Sequence, residues 1–173
     1  YDDYCHRDTV TGVVVVPKPH ELKSVKYKES NMPVYQHILT AIDLGDNSAM
    51  VLQQAAALAQ LCDAELTVLH VVNFSIPPDV DPVTPAMDTI EQQLIDAAQR
   101  RLDALLEREA LTKGFGTIVN SGRPKVEIMR IAAREKVDLI VVGAHGHHGI
   151  AGLLGSTADR VVDRATCSVL VVR

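Results

Sequence analysis

The chain has 173 residues, a formal net charge of −5 at pH 7, and charged side chains at 23 % of its positions. Its length fits one domain of roughly 100–200 residues with its own core, and the composition excludes a wholly disordered chain. No apolar run approaches the roughly 20 residues of a membrane-spanning helix, so we expect no direct membrane insertion. The acidic balance argues against nucleic-acid binding, which needs a basic face.

Aromatic side chains are scarce: they make up 3 % of the residues, and tryptophan is absent. Aliphatic residues must therefore fill the core, which suits parallel strands buried on both faces. The three cysteines, Cys5, Cys62 and Cys167, have no CxxC spacing and cannot all pair within one chain. They indicate a reducing, cytoplasmic compartment rather than a disulfide framework.

Residues 1–31 differ from the rest in composition, because their five acidic and five basic side chains leave them neutral. Met32 is the first methionine and precedes a strand-like sequence, which predicts a compact domain over residues 32–173. Within the extension, residues 11–16 (TGVVVV) read as a strand that we expect to pair. Three interpretations stay open: an accessory strand or arm, a linker from a longer parent protein, or an artificial addition.

From residue 35 onward, strand-like and helix-like segments alternate. Apolar β-branched runs predict five strands, and segments with apolar residues three and four apart predict the helices between them. The predicted strands cover residues 35–42, 64–72, 115–120, 137–143 and 168–173, and the predicted helices about 48–62, 88–111, 124–136 and 155–165. Four prolines predict a loop over residues 74–86. This alternation favours a doubly wound, Rossmann-like α/β domain with helices on both faces of a five-stranded parallel sheet.

Two polar positions in these elements are interpreted as structural. Arg101 lies on the face of the predicted helix 88–111 that is opposite its apolar residues, so we expect it in solvent. His70 lies within the second predicted strand, where a hydrogen-bonded core histidine is the expected state.

The strongest functional signal follows the fourth predicted strand. Residues 143–155 (GAHGHHGIAGLLG) hold five glycines and lead into Ser156, Thr157 and a predicted helix. Glycines allow close approach of the backbone to a ligand, and the N–H groups at a helix start attract phosphate. The alternative is a flexible loop with turn glycines only. The block is neither a Walker A loop, since no lysine precedes its Ser-Thr pair, nor a dinucleotide fingerprint, which would follow the first strand.

Asp43 is the second signal, because it ends the first predicted strand. In open α/β sheets, ligands bind beyond the carboxyl ends of the strands where the strand order reverses. A carboxylate there can accept hydrogen bonds from ribose hydroxyls. The alternative is an aspartate that caps a helix or stabilises a turn.

Four segments together resemble the universal stress protein family over about residues 33–173: ILTAIDLGDNS, ELTVLHVV, DLIVVGAHGHHGIAGLLGSTADRVV and SVLVVR. The resemblance implies the strand order 3-2-1-4-5, with ATP or another adenine nucleotide bound between strands one and four. It also implies a homodimer through the last strand, residues 168–173, where pairing would remove an apolar edge.

The resemblance also implies a role for each matching residue. Asp43 would contact ribose, the backbones of Ala41 and Val71 would lie along adenine, and Val142 would be nearby. The residues expected at the phosphates are Gly143, Gly146, Gly155, Ser156 and Thr157. His145 in the same loop is interpreted, apart from the resemblance, as a contact to phosphate or solvent. One departure concerns the glycine loop, because eight residues separate Gly146 from Gly155 where nucleotide-binding members usually have nine.

No protein metal site is expected, and ATP turnover is expected to be slow or absent. His145, His147 and His148 have an irregular loop spacing that sets no ligand geometry, so any Mg²⁺ would be held by nucleotide phosphates and water. Phosphoryl transfer needs a positioned base and cationic stabilisation, and no lysine or arginine lies between Gly143 and Thr157.

Two function classes therefore stand. The first is a cytoplasmic, nucleotide-sensing homodimer that binds ATP, ADP or AMP and regulates a stress response. The second is an interaction module with a degenerate pocket, which docks through residues 1–31 on a partner such as a membrane transporter.

Overall fold

The computed structural model describes residues 14–16, 35–74, 85–111, 114–144 and 155–173, and a six-stranded sheet lies at its centre. Its strands are β1 (Val14–Val16), β2 (His37–Ile42), β3 (Glu65–Asn73), β4 (Phe115–Gly122), β5 (Leu139–Gly143) and β6 (Ser168–Val172). The helices are α1 (Ser48–Cys62), α2 (Pro85–Arg108), α3 (Pro124–Arg134) and α4 (Ser156–Arg164). Among the described residues, no helix combines the length and the apolar character needed to span a bilayer.

The sheet order is β1-β6-β5-β2-β3-β4, and β2 to β6 all run parallel. Without β1, this is the predicted order 3-2-1-4-5, which is confirmed. The chain adds β3 and β4 on one side of β2 and then crosses over to add β5 and β6 on the other side. This reversal opens a cleft at the carboxyl ends of β2 and β5.

Successive side chains of the central strands pack alternately into two separate hydrophobic cores, one on each face of the sheet. On β2, Ile38 and Ile42 join a cluster with residues of α1 and α2, whereas Leu39 joins a second cluster with residues of α3 and α4. This alternation is that of a strand buried on both faces. The largest fully buried side chains are aliphatic, and the aromatic residues Tyr35 and Phe115 pack only partly buried against the first cluster.

The element boundaries differ from the predicted ones by up to three residues, and two of these differences have a plain physical reason. Residues 74–86 were expected to be a loop, but α2 already begins at Pro85, a position where proline fits because the first turn needs no N–H donor. The predicted strand 115–120 extends to Gly122, because Ser121 and Gly122 still pair with β3.

The predicted strand at residues 11–16 is present as β1, from Val14 to Val16. It pairs antiparallel with β6, at the sheet edge farthest from β4. This edge is the one through which the resemblance implies dimerisation.

Candidate functional site

A cavity of about 650 Å³ lies at the carboxyl edge of the sheet, where β2 and β5 separate. Apolar side chains from both cores line it, including Val51 and Ile42 on one side and Val71, Ile128 and Val142 on the other. The cavity therefore reaches across the sheet edge and has apolar walls with polar groups at strand and helix ends. This is the usual make-up of a small-molecule site.

Eight of the ten predicted site residues line this one cavity. They are Ala41, Asp43, Val71, Val142, Gly143, Gly155, Ser156 and Thr157. The other two, His145 and Gly146, lie outside the described residues. The assignment of all ten to nucleotide contacts stays a prediction.

The amino end of α4 faces the cavity with Gly155, Ser156 and Thr157. Gly155 precedes the first turn in an extended conformation, and its N–H donates to the Ala144 carbonyl at 2.7 Å. Gly155 is thus tied to the end of β5, whereas the N–H groups of the first turn have no carbonyl of their own helix to bond. An anion can be held there by backbone donors and by the helix dipole.

Asp43 stabilises the turn that leads from β2 into α1. Its Oδ1 accepts hydrogen bonds from the Gly45 N–H at 2.9 Å and from the Ser48 hydroxyl at 3.0 Å. The turn role proposed as the alternative is therefore present. The carboxylate is exposed and also lines the cavity, so the turn contacts fix its position at the rim.

The same turn contains a residue in the left-handed region, Leu44 with φ of 60°. For a residue other than glycine this conformation costs about 1–2 kcal/mol, and such residues concentrate at functional sites. The Arg101 guanidinium donates to the Leu44 carbonyl at 3.1 Å, which ties the turn to α2.

Arg101 is a cavity residue that the sequence interpretation placed in solvent. It is exposed but lines the cavity together with Leu94, Ala97 and Ala98 of α2. Spacings of three and four residues put these positions on one face of the helix. That spacing is a signal in the sequence, although it does not reveal which part of the sheet this face meets.

His70 is half-buried at the cavity wall rather than in the core, and its ring is hydrogen-bonded as expected. Its Nδ1 lies 2.9 Å from the Ile42 carbonyl, which can only accept a hydrogen bond, so Nδ1 carries the proton. Burial lowers the pKa of His70 below the ordinary 6.5, and the positive charge of Arg101 lowers it further. The hydrogen bond to Ile42 and the charge of Asp43 act in the opposite direction. The ring is therefore neutral at pH 7, and its Nε2 is an acceptor.

The described part of the chain contains no cluster of three or more His, Cys, Asp or Glu side chains that could hold a metal ion. The lining of the cavity, among the described residues, is of mixed chemistry. It combines apolar walls, a helix amino terminus, one rim carboxylate, one guanidinium and a neutral imidazole.

Comparison with known proteins gives the family. The model of the universal stress protein family matches residues 34–173. The chain belongs to this family. The similar family members include universal stress protein A homolog 1 of Coxiella burnetii, which is 37 % identical over 147 residues, spanning 80 % of this chain and 96 % of the relative.

Two solved structures of the family bear on the fold and the site. The universal stress protein UspA from Lactobacillus plantarum has a TM-score of 0.65 at 35 % identity, covering 80 % of this chain and 98 % of that chain. A universal stress protein in complex with cAMP has a TM-score of 0.50 at 25 % identity, covering 80 % of this chain and 97 % of that chain.

Proposed function

We propose that this universal stress protein binds an adenine nucleotide in the cavity between β2 and β5 and acts as a nucleotide-sensing regulator. The observation that carries the proposal is the convergence of Asp43, the amino end of α4 and the ends of β3 and β5 on one cavity. The solved cAMP complex of a related family member supports the class of ligand. Whether the ligand is ATP, ADP, AMP or cAMP is decided by titration.

The parts of an adenine nucleotide match different parts of the cavity. The base fits between the apolar side chains of Val71 and Val142, along the backbone of Ala41. The ribose lies at the Asp43 carboxylate, and the phosphates lie at the first turn of α4, where Ser156 and Thr157 add hydroxyl donors. Any Mg²⁺ is held by phosphate oxygens and water rather than by the protein.

We propose binding without rapid chemistry. Phosphoryl transfer requires cations on the transferred group and a positioned base. Among the described cavity residues, Arg101 alone carries a full positive charge at pH 7. Its guanidinium donates to the Leu44 carbonyl at the turn after β2. A bound nucleotide then acts by shifting a conformational or assembly equilibrium, here that of a cytoplasmic homodimer formed through β6.

The test is an equilibrium titration of nucleotide-free protein with ATP, ADP, AMP and cAMP. Calorimetry suits it, because the chain has no tryptophan to report on binding. We expect a Kd below about 1 mM, equivalent to about −4 kcal/mol. No heat of binding at millimolar nucleotide would refute the proposal and favour an interaction module with a degenerate pocket.

A matched pair of variants locates the phosphate end. Thr157→Val removes a hydroxyl at the first turn of α4, whereas Thr166→Val removes one from an exposed residue that does not line the cavity. We expect weaker nucleotide binding in the first variant and unchanged binding in the second. Equal effects would place the phosphates elsewhere.

A further inference from the structure

The edge of β6 is the feature of the fold that the nucleotide site leaves unexplained. The five residues of β6 are buried, with exposed fractions between 1 % and 8 %. Without β1, this strand would form an apolar edge with unpaired N–H and C=O groups, which is a template for another strand. β1 occupies the edge antiparallel, in the register Val14–Val171, Val15–Leu170 and Val16–Val169.

A second copy of the chain carries a strand that fits the same position. Identical strands related by a two-fold axis pair antiparallel, which is the direction in which β1 runs. If Leu170 of a second copy took the place of Val15, then Leu170 would pair with Leu170 on the axis. Val169 would pair with Val171 on either side, so the side chains of each pair would point to the same face. The register of β1 is therefore compatible with a symmetric pair of β6 strands.

The two occupants differ in length and in attachment. β1 has three residues, whereas a second β6 offers five, so the second copy can form the longer hydrogen-bonded ladder. β1 belongs to the same chain, which gives it a high effective concentration at the edge. The balance between them therefore depends on protein concentration, and it moves toward the dimer when β1 is weakened.

We propose that β1 competes with β6 of a second copy for this edge, so that β1 keeps the chain monomeric until it leaves β6. The inference rests on the proposed dimerisation through β6, and it does not depend on nucleotide binding. It gives the N-terminal segment the role of an intramolecular cover that sets the concentration at which the chain dimerises.

The test weakens β1 within the full chain. Proline lacks the N–H donor of a ladder bond, and successive N–H groups of a strand point to opposite sides. A double variant, Val14→Pro with Val15→Pro, therefore removes a β6-facing donor in either case. The control, Lys23→Pro with Ser24→Pro, carries two prolines in the same N-terminal segment outside β1. Sedimentation velocity on nucleotide-free protein measures the dimer dissociation constant of each chain.

We expect the β1 double variant to dimerise at least ten-fold more tightly than the unmodified chain, while the control behaves like the unmodified chain. Hydrogen exchange should show β6 amides protected in that dimer. Equal dissociation constants in all three chains would overturn the competition but leave the dimer. Monomers throughout, or undefined larger species in the β1 variant, would overturn both the competition and dimerisation through β6. Neither result would bear on the nucleotide titration.

Discussion

Removal of the Asp43 carboxylate separates two roles of this residue, in the turn and at the ligand. In the turn, Asp43→Ala deletes the acceptor of the Ser48 hydroxyl and of the Gly45 N–H. Ser48 is only 2 % exposed, so water replaces the lost partner poorly. A buried hydroxyl left without its partner costs about 1–3 kcal/mol, which corresponds to roughly 2–4 °C in Tm per kcal/mol for a chain of this size.

Asp43→Asn is the matched variant for the turn. The asparagine side chain keeps an oxygen at the position of Oδ1, so we expect most of the stability to remain. Asp46→Ala controls for the loss of a neighbouring acidic charge, since Asp46 is exposed and does not line the cavity. Urea unfolding of the three variants checks this ranking. Equal stability of Asp43→Ala and the unmodified chain would refute the turn contacts.

For the ligand, the proposed contact between Asp43 and ribose is tested by deleting the partner on each side. Hydrogen bonds to charged groups contribute about 1.5–3 kcal/mol. Because Asp43 is exposed, we expect the lower end, so loss of the bonded hydroxyl weakens binding about ten-fold.

The assay compares ATP with 2′-deoxyATP and 3′-deoxyATP by calorimetry, in the unmodified chain and in Asp43→Ala. The unmodified chain should prefer ATP over at least one deoxynucleotide, and the variant should lose that preference. If the variant discriminates as strongly as the unmodified chain, ribose does not bind at Asp43. The compared quantity is the ratio of the Kd values for ATP and a deoxynucleotide within one protein. A general loss of stability therefore does not remove the preference.

Three further predictions concern charge, pH and packing. Arg101→Ala should weaken nucleotide binding about 1.4- to five-fold, as for an exposed charge worth about 0.2–1 kcal/mol. Titration of Arg100→Ala, changed at an exposed neighbour outside the cavity, should match the unmodified chain. Because the pKa of His70 is lowered in the folded chain, the unfolded chain takes up a proton on this ring first as the pH falls. Urea unfolding should therefore show a stability advantage of the unmodified chain over His70→Gln that is full above pH 6.5 and shrinks as the pH falls below it. A stability difference independent of pH would contradict the lowered pKa of His70. Ile140→Ala, at a fully buried position, should cost about 2–5 kcal/mol in the same assay, whereas Leu61→Ala, 85 % exposed, should change the free energy of unfolding by less than about 0.5 kcal/mol.

The alternation of strands and helices follows from local patterns because each pattern has a physical meaning on its own, whereas the strand order was implied by the resemblance to the family. Apolar runs such as Leu139–Gly143 are too short for helices and too apolar for a strand with one solvated face, so they predict a sheet covered on both sides. Boundaries depend on partners instead. The last residues of β4, Ser121 and Gly122, are strand residues because β3 is long enough to pair with them.

The pairing of β1 also depends on a partner that the local sequence does not identify, and here the partner lies much farther along the chain. Four consecutive valines predict a strand, but their sequence carries no information on which edge they reach. The edge that β1 covers is formed by β6, about 155 residues later in the chain. Only the assembled sheet shows that this edge is apolar and accessible to an antiparallel strand.

The cavity residues also fall into two groups, those whose place the sequence predicts and those whose place depends on how distant elements pack. Ala41, Asp43, Val71 and Val142 are near the carboxyl ends of parallel strands, and topology alone brings such ends together. Arg101 reaches the cavity for another reason, since it lies on α2, which packs on β3 and β4, and its bond to Leu44 joins residues 57 positions apart. A helical residue's position on its own helix predicts which neighbours it has there, but its distance from a strand end depends on where the two elements cross. The charge that Arg101 brings to the cavity depends on that contact between elements, whereas the pKa of His70 is lowered mainly by burial, so both could be read only from the structure.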